Sequence, residues 1–190
     1  MGTLTNKLLA AFILVLLLPL LLTLALLIRL TSKGPVFYKQ QRLGYCKQPF
    51  AIYKFRTMKA CPAETFKAAM PGDSRITRLG HFLRKTSLDE LPQLINVLKG
   101  EMALVGPRPY VPEQNHHYET VFANYHLRYT VPPGMTGWAQ VNGLRGYVKS
   151  DAAMQERVNA DIYYIHHKTL LFDLKIMLRT LIHGFINNQP

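Results

Sequence analysis

A long apolar stretch near the start of the chain, residues 8–28, restricts the protein most strongly. Its residues are almost all Leu, Ala, Ile, Val and Phe. As a helix rising about 1.5 Å per residue it would be about 30 Å long, which matches the hydrocarbon core of a bilayer. A cleaved signal peptide fits poorly, because the stretch is long and "RLTSKGPVFYKQQR" follows it instead of a small-residue cleavage site. The sequence therefore predicts a membrane helix.

Two features of this segment argue against a simple crossing. Pro19 lies near its middle, where it removes a backbone donor and disfavours helical geometry at Leu18. Basic residues flank both ends, with Lys7 before the stretch and Arg29 and Lys33 after it. Because basic flanks prefer the cytoplasmic side, both ends are drawn to the same face. Two topologies fit: a helix that bends at Pro19 and re-enters the same leaflet, and a kinked helix that spans the membrane.

Positive charge is concentrated in the part of the chain that follows this helix. The whole chain carries a formal charge of +12, and residues 29–85 contain thirteen Lys or Arg against only Glu64 and Asp73. So uneven a distribution favours a polyanionic partner, such as a phosphorylated substrate, anionic lipid or nucleic acid. Cys46 and Cys61 have neither a zinc-like nor a redox spacing, which is typical of a reducing compartment.

The rest of the sequence predicts an α/β fold that is mostly helical, with a small β-hairpin. Aromatic and β-branched residues indicate two strands, with Gly44 and Pro49 between them. Periodic apolar residues and capping signals indicate several helices, one of which ends at Gly100. We expect strands at 36–42 and 50–58, helices at 77–84, 87–99, about 113–127 and through 154–165, a loop or short helix at 59–76, and loops at 106–112 and 131–143.

The C-terminal stretch, residues 170–188, predicts an amphipathic helix. Lys175, Arg179 and His183 interrupt an otherwise apolar face. Such a helix belongs either in the protein core or in the membrane interface, and the membrane helix at the other end of the chain keeps both interpretations open. The apolar positions are Leu171, Leu174, Leu178, Leu181, Ile182 and Phe185.

The acidic pair in "TSLDELPQL", residues 86–94, has two interpretations. As structure, Ser87 is a helix N-cap, Glu90 completes a capping box, and Asp89 complements the helix dipole. As chemistry, a carboxylate fixed at a helix N-terminus stays ionised, and an Asp can attack phosphorus or hold Mg²⁺ together with substrate phosphates. The local sequence alone favours the cap.

Arginines near this pair give the chemical interpretation more weight. Arg84 precedes the pair by about one helical turn, Arg75 and Arg78 lie upstream, and Arg108 stands between two prolines in "PRP". Forked guanidinium groups match the geometry of phosphate, and phosphoryl transfer requires mainly positioning and charge neutralisation.

Other familiar motifs contribute little. The sequence has no P-loop and no dinucleotide-binding fingerprint. The pairs at 116–117 and 166–167 are both His-His and lack metal-ligand spacing. Trp138 in "GMTGWAQVNG" is interpreted as a packing anchor rather than a platform for a sugar.

Taken together, these segments resemble the monotopic phosphoglycosyl transferases of the bacterial sugar transferase family. The matching stretches are "SKGPVFYKQQRLG", "PFAIYKFRTM", "SRITRLGHFLRKTSLDELPQLINVLKGEMALVGPRP", "VPPGMTGWAQVNG" and "ADIYYIHHKTLLFDLKIMLRTL", which cover most of the chain in family order. The resemblance implies transfer of a sugar-1-phosphate from a nucleotide-activated sugar, usually a UDP-sugar, to undecaprenyl phosphate. It also implies Mg²⁺ and a re-entrant N-terminal helix.

The resemblance places the family's catalytic Asp-Glu dyad on Asp89 and Glu90. Asp89 would attack the β-phosphorus of the donor, release UMP and carry a covalent phosphosugar until undecaprenyl phosphate displaces it. Asp89 would also contact the Mg²⁺, and Glu90 would serve as a base or as a partner in the metal site.

Four arginines are the candidates for binding substrate phosphates. Arg84 and Arg108 match family positions, while Arg75 is added for its nearness in sequence. Arg145 is a candidate although "VNGLRG" replaces the family's common "VNGR". Pro19 marks the expected break in the membrane helix, where Leu18 replaces the serine that relatives often have.

We therefore expect a membrane-anchored enzyme on the cytoplasmic face of a bacterial inner membrane. Residues 1–33 would form the re-entrant helix and its flank, and residues 34–190 a catalytic domain packed on the membrane surface. Expected partners are a UDP-sugar, membrane lipids and undecaprenyl phosphate, and not nucleic acid. The run "VNGLRGYVKSDAAMQERVNADIYYI" is similar to the undecaprenyl-phosphate glucose phosphotransferase branch, which favours UDP-glucose or a related hexose.

Three further points belong to this expectation. That branch often carries extra N-terminal membrane helices, so the chain is expected to be a minimal form or an excised catalytic part. A non-enzymatic basic module that binds anionic lipid or nucleic acid is one alternative. A transferase that joins both substrates directly, without a covalent intermediate, is the other.

Overall fold

The computed structural model describes residues 1–59, 70, 72–148 and 150–183, and within them the chain is mostly helical with two small sheets. The predicted fold class is confirmed at this level. Three 3₁₀ helices occur at Tyr45–Lys47, Leu88–Gln93 and Tyr125–Tyr129. The helices are α1 Thr3–Thr31, α2 Arg78–Lys85, α3 Leu94–Lys99, α4 Pro112–Val121, α5 Trp138–Val141, α6 Asp151–His167 and α7 Leu170–His183, and the strands are β1 Phe37–Leu43, β2 Pro49–Phe55, β3 Ala103–Val105 and β4 Gly134–Thr136.

The predicted hairpin is confirmed as the antiparallel pair β1–β2, in which Phe37 lies opposite Phe55. Phe50 and Ile52 of β2 point into the core, as alternation along a half-buried strand requires. The other edge of β2 is occupied by a side chain, because Asn96 accepts from the Tyr53 N–H (3.0 Å) and donates to the Ala51 carbonyl (2.8 Å). The hairpin is therefore fastened to α3 along its second edge.

A second sheet, the parallel pair β3–β4, was not predicted. Ala103 pairs with Gly134 and Val105 with Thr136. The prediction of a loop at 131–143 is wrong here, because strands of three residues are too short to show a periodic pattern and α5 follows at once. The pairing requires a glycine at 134, since a Cβ there would lie 2.0 Å from the Gly106 nitrogen.

The segment around the acidic pair differs from the single helix predicted over 87–99. A 3₁₀ helix, Leu88–Gln93, contains Pro92 and is followed by α3. Gly100 ends α3 with a φ of 83°, as expected of a C-terminal glycine. Ser87 has a φ of 56° and its side chain caps nothing, so the predicted N-cap is wrong.

Helix α1 is unbroken through Pro19 and packs against the folded body at both ends. Near its start, Ala10 belongs to the core cluster of α3 and β3. Near its end, Leu24 and Ile28 pack with Phe55 and other buried residues. Its central leucines are exposed, only 11% of its most apolar window is buried, and it is long and apolar enough to cross a membrane.

Helix α7 carries its apolar face outside the core. Asp173 and Ile176 are buried, whereas the predicted apolar positions within the described residues are exposed. The structure therefore favours the interfacial interpretation over the core interpretation. The exposed positions are Leu171, Leu174, Leu178, Leu181 and Ile182, and Phe185 lies outside the described residues.

Candidate active site

The acidic pair lies in the 3₁₀ helix Leu88–Gln93, which packs against strand β2. Asp89 is 9% exposed and Glu90 is partly buried. Tight 3₁₀ geometry turns the two consecutive side chains into different surroundings, since each residue advances about 120° around the helix axis. The two carboxylates therefore have different partners.

Glu90 is held by two cations from different elements. Lys54 of β2 donates to Oε1 at 2.6 Å, and Arg108 forms a two-bond fork with both carboxylate oxygens, with Nη1–Oε2 at 3.0 Å. Burial acts to raise the pKa of Glu90, but the charges of Arg108 and Lys54 outweigh it and hold the pKa well below its usual range. Glu90 is therefore ionised, and its carboxylate is paired with Lys54 and Arg108 instead of capping a helix. The predicted capping box is wrong for both Ser87 and Glu90.

Asp89 makes no side-chain hydrogen bond with the described residues. Burial raises its pKa to about 6, although Lys54, Arg84 and Arg108 all favour the charged form. Loss of hydration therefore outweighs the helix dipole, but a pKa of about 6 still leaves the carboxylate mainly ionised at neutral pH, as the sequence predicted. A weakly solvated carboxylate without a hydrogen-bond donor is a better nucleophile than one that is paired.

Positive side chains surround the pair in excess. Lys54 and Arg108 contact Glu90, Arg84 lies within electrostatic range of Asp89, and Arg145 donates to Ser87 Oγ at 3.1 Å. Arg42 of β1 is also close enough that burial and the charge of Arg108 lower its pKa to about 10. Five cations thus face two carboxylates, an excess that an anionic ligand would neutralise.

Arg84 has an unmet hydrogen-bond donor that such a ligand could pair with. Its buried Nε has no hydrogen-bond partner among the described residues. It comes from the last turn of α2, whose N-terminus is capped by Thr77 through the Gly80 N–H at 2.9 Å. The capped helix therefore fixes the direction in which Arg84 approaches Asp89.

Arg75 is engaged elsewhere. It donates from Nε and Nη2 to the Asp73 carboxylate, at 2.9 Å and 2.6 Å. Hydrogen bonds from Arg75 hold the pKa of Asp73 well below its usual range. The structure thus brings three of the four predicted arginines, Arg84, Arg108 and Arg145, to the acidic pair and joins Arg75 to Asp73.

Lys54 and Arg42 were missed by the sequence analysis, although a signal was present. In β2, Lys54 lies on the same inward face as the buried Phe50 and Ile52, where an apolar residue is expected. Arg42 lies opposite Phe50 in the hairpin register and so shares that face. A cation at an inward strand position indicates a buried anion, and this rule would have identified both residues.

A buried ion pair supports the "PRP" loop that carries Arg108. Arg128 donates from Nη2 to the Arg108 carbonyl at 2.6 Å and from Nε to Asp161 of α6 at 2.8 Å. Its guanidinium also stacks over the rings of Tyr110 and Tyr125. The loop has no regular secondary structure, so this pair replaces the backbone ladder that would otherwise fix it.

Trp138 is confirmed as a packing residue. Its ring lies 5.0 Å from that of Phe172 and 6.0 Å from that of Tyr163, centroid to centroid. These contacts join α5 to α6 and α7, away from the acidic pair.

The residues at the site suit Mg²⁺ only as an ion shared with substrate. Among the described residues, no cluster of three or more His, Cys, Asp or Glu side chains could hold a metal ion. Neither His-His pair therefore belongs to such a cluster. Asp89 offers one unpaired carboxylate, and Mg²⁺ is commonly held by one or two carboxylates together with substrate phosphates. The donor set therefore fits a substrate-borne Mg²⁺ rather than a cage made by the protein.

The chain is similar in sequence to several named transferases. The chain is similar to UDP-glucose:undecaprenyl-phosphate glucose-1-phosphate transferases of Escherichia coli strain K12 (45% identical over 94% of this chain and 39% of the relative) and Caulobacter vibrioides (47% over 90% and 65%). It is also 40% identical, over 88% of this chain and 40% of the relative, to the UDP-N-acetylgalactosamine-undecaprenyl-phosphate N-acetylgalactosaminephosphotransferase of Aeromonas hydrophila. The chain spans less than two thirds of the length of each. The family model described as bacterial sugar transferase matches residues 2–187. The chain therefore belongs to the bacterial sugar transferase family.

Proposed function

We propose that the chain transfers a sugar-1-phosphate, with UDP-glucose as the preferred donor, to undecaprenyl phosphate. The observation that carries this proposal is the desolvated Asp89, which has no hydrogen-bond partner in the described part of the chain and lies within a shell of five cations. Such a shell neutralises a diphosphate and leaves the carboxylate to react. Two relatives are named for glucose-1-phosphate transfer, and a third for N-acetylgalactosamine, so the sugar is the part that needs a donor panel.

In the first half-reaction, an Asp89 oxygen attacks the β-phosphorus of the donor. A bond forms between that oxygen and phosphorus, the bond to the bridging oxygen breaks, and UMP leaves with the electron pair. Arg84 and Arg145 are placed to neutralise charge on the phosphates, while Arg108 stays anchored by Glu90. Glu90 acts here as the fixed counterion that orients Lys54 and Arg108.

In the second half-reaction, a phosphate oxygen of undecaprenyl phosphate attacks the same phosphorus. The bond to Asp89 breaks and the carboxylate is regenerated, so the product is a sugar diphosphate lipid. The acceptor enters already ionised, and no proton has to be removed from it by Glu90. Mg²⁺, when bound through Asp89 and the donor phosphates, would supply further charge neutralisation.

We also propose that α1 re-enters one leaflet and that α7 lies in the interface of the same membrane. The start of α1 is tied to the folded body, where Asn6 accepts from the Leu104 N–H at 2.9 Å. Its end is tied there too, through Ser32 and Arg56 at 2.7 Å. If α1 spanned the membrane, the folded body would have to reach across the hydrocarbon core to contact both ends. Re-entry would instead require a bend near Pro19 that keeps most of the helical hydrogen bonds. On this arrangement the protein lies on the cytoplasmic face of the inner membrane.

The test is UMP release from UDP-glucose in the absence of acceptor. Asp89→Asn should abolish both the UMP burst and the covalent sugar-phosphate adduct seen by intact mass, because an amide cannot act as the nucleophile. Asp151→Asn, an exposed carboxylate at the start of α6, is the matched control and should keep the burst. Full turnover by Asp89→Asn would refute the nucleophile.

The same experiment separates the alternatives. Turnover that needs both substrates and leaves no adduct would favour direct transfer. Salt-sensitive binding to anionic vesicles without any UMP release would favour the non-enzymatic basic module. A panel of UDP-sugars then identifies the sugar.

A further inference from the structure

Another arginine with unmet hydrogen-bonding capacity, Arg56, makes no contact with the acidic pair. Arg56 is only 7% exposed. Its Nη2 donates to the Ser32 carbonyl at 2.7 Å and to Ser32 Oγ at 2.9 Å, whereas its Nε and Nη1 have no partner among the described residues. Because a buried guanidinium with unpaired donors is unfavourable, the free side of this fork indicates an anionic ligand.

Arg56 continues the line of cations that leads to the acidic pair. Its N–H bonds to the Val36 carbonyl at 2.9 Å, so the hairpin ladder extends past the end of β2. Two residues earlier, Lys54 contacts Glu90 at 2.6 Å. Residues two apart on an extended strand lie about 6.6 Å apart, so Arg56 stands one such step beyond Lys54, at the end of α1 where it contacts Ser32.

The other neighbour of Arg56 is the end of the membrane helix. Ser32, its partner, follows the last residue of α1 directly. Arg29, in the last turn of α1, is near enough that its charge adds to burial in lowering the pKa of Arg56. Leu26 and Leu30 on this part of α1 are exposed, at 59% and 72%. A ligand at this position would have its phosphate on arginine and its hydrocarbon against leucine.

We propose that Arg56 binds the phosphate of the polyprenyl phosphate acceptor where it leaves the membrane, at the outer end of a path that passes Lys54 and ends at Asp89. This inference rests on the proposed function and adds a separate acceptor subsite to it. The donor approaches without a lipid tail and does not need Arg56. The two half-reactions therefore separate the roles of the two regions.

The test compares donor-only and acceptor-dependent kinetics of Arg56→Gln, in phosphatidylcholine nanodiscs where undecaprenyl phosphate is the only lipid phosphomonoester. We expect the KM for undecaprenyl phosphate to rise about tenfold or more, because a charged phosphate contact is lost, with the donor-only UMP burst within twofold of wild type. Lys47→Gln, on the exposed turn of the same hairpin, is the matched control and should change neither.

Several results would overturn the inference. An unchanged KM for the lipid, or equal loss of the burst and of turnover in a folded Arg56→Gln protein, would do so. If Arg56→Gln does not fold, the exposed neighbour Arg29 is replaced instead, as Arg29→Gln. A KM for undecaprenyl phosphate that rises about threefold, with an intact donor-only UMP burst, supports the subsite. An unchanged KM for undecaprenyl phosphate refutes it. Failure of the proposed function is distinct, since wild type would then show no burst with donor alone.

Discussion

The pKa values of two neighbouring carboxylates in this protein are shifted in opposite directions because their surroundings differ. Glu90 is paired with Lys54 and Arg108, and its pKa is held well below the usual range. Asp89 lacks a hydrogen-bond donor among the described residues, and burial raises its pKa to about 6. On the proposed mechanism, Glu90 is the electrostatic anchor and Asp89 the reactive group. This division is a property of the fold and not of the dipeptide.

The raised pKa of Asp89 leads to a prediction about stability. The folded protein holds this proton up to about pH 6, whereas the unfolded chain loses it near 3.8. The free energy of unfolding therefore falls as pH rises from about 4 to 6, and it stays reduced above 6. Asp89→Asn removes the buried charge, so the inactive variant should have a higher Tm than wild type at pH 7.5.

The measurement is thermal unfolding of wild type and Asp89→Asn between pH 4 and 8. The gain in Tm should shrink as the pH is lowered from about 6 towards 4. Asp151→Asn, which removes one exposed negative charge, should change the free energy of unfolding by less than about 0.5 kcal/mol. A wild-type protein that is more stable than Asp89→Asn at pH 7.5 would contradict a desolvated Asp89.

At this scale the sequence predicted the site residues better than their contacts. Arg84 and Arg108 were predicted because guanidinium groups suit phosphates, and Arg145 followed only from the family resemblance. The structure brings all three near Asp89. The interpretation of Glu90 as a capping residue failed because Lys54, 36 residues away in sequence, competes for its carboxylate. Local patterns do not contain such long-range partners.

Among the elements, the irregular "PRP" loop depends most on contacts made at a distance. Arg128 bonds to the carbonyl of Arg108 and to Asp161, and both members of this ion pair are at most 4% exposed in their side chains. The sequence predicted that this loop has no regular structure, because its prolines exclude it. It gave no indication of Arg128, which follows 20 residues later.

Breaking this ion pair should reduce both stability and turnover. Asp161→Ala leaves Arg128 buried without a counterion, which typically lowers the free energy of unfolding by about 3–5 kcal/mol. Turnover should fall as well, because Arg128 then no longer holds the Arg108 carbonyl in place. Chemical denaturation and UMP release measure the two effects.

An exposed ion pair and a double variant complete this test. Lys47→Ala removes the exposed pair with Glu119 and should change the free energy of unfolding by less than about 1 kcal/mol. Replacing both Arg128 with Met and Asp161 with Leu should restore part of the stability but not the turnover. Recovery of full turnover by the double variant would show that the pair has no positioning role.

For the whole molecule, the contacts between α1 and the folded body are the observation that bears on the topology. The sequence predicted the apolar helix and its break at Pro19, but left two topologies open. In the structure, α1 stays helical through Pro19, with Thr23 Oγ1 donating to the Pro19 carbonyl at 2.9 Å. Contacts at Asn6 and Ser32 attach both of its ends to one body. Those contacts join residues far apart in sequence, so composition and periodicity could not provide them.

The re-entrant arrangement predicts that both ends of α1 are reached from the same side of the membrane. Single cysteines at the exposed positions Thr5 and Thr31 should react with a membrane-impermeant maleimide in inverted vesicles and stay unreactive in intact spheroplasts. Both native cysteines are replaced by Ser in the Thr5→Cys and Thr31→Cys variants. A separate variant that keeps only the exposed Cys46 in the hairpin turn reports the side of the folded body in parallel samples. If Thr5→Cys is labelled only in spheroplasts while Cys46 is labelled only in inverted vesicles, α1 spans the membrane and the re-entrant proposal fails.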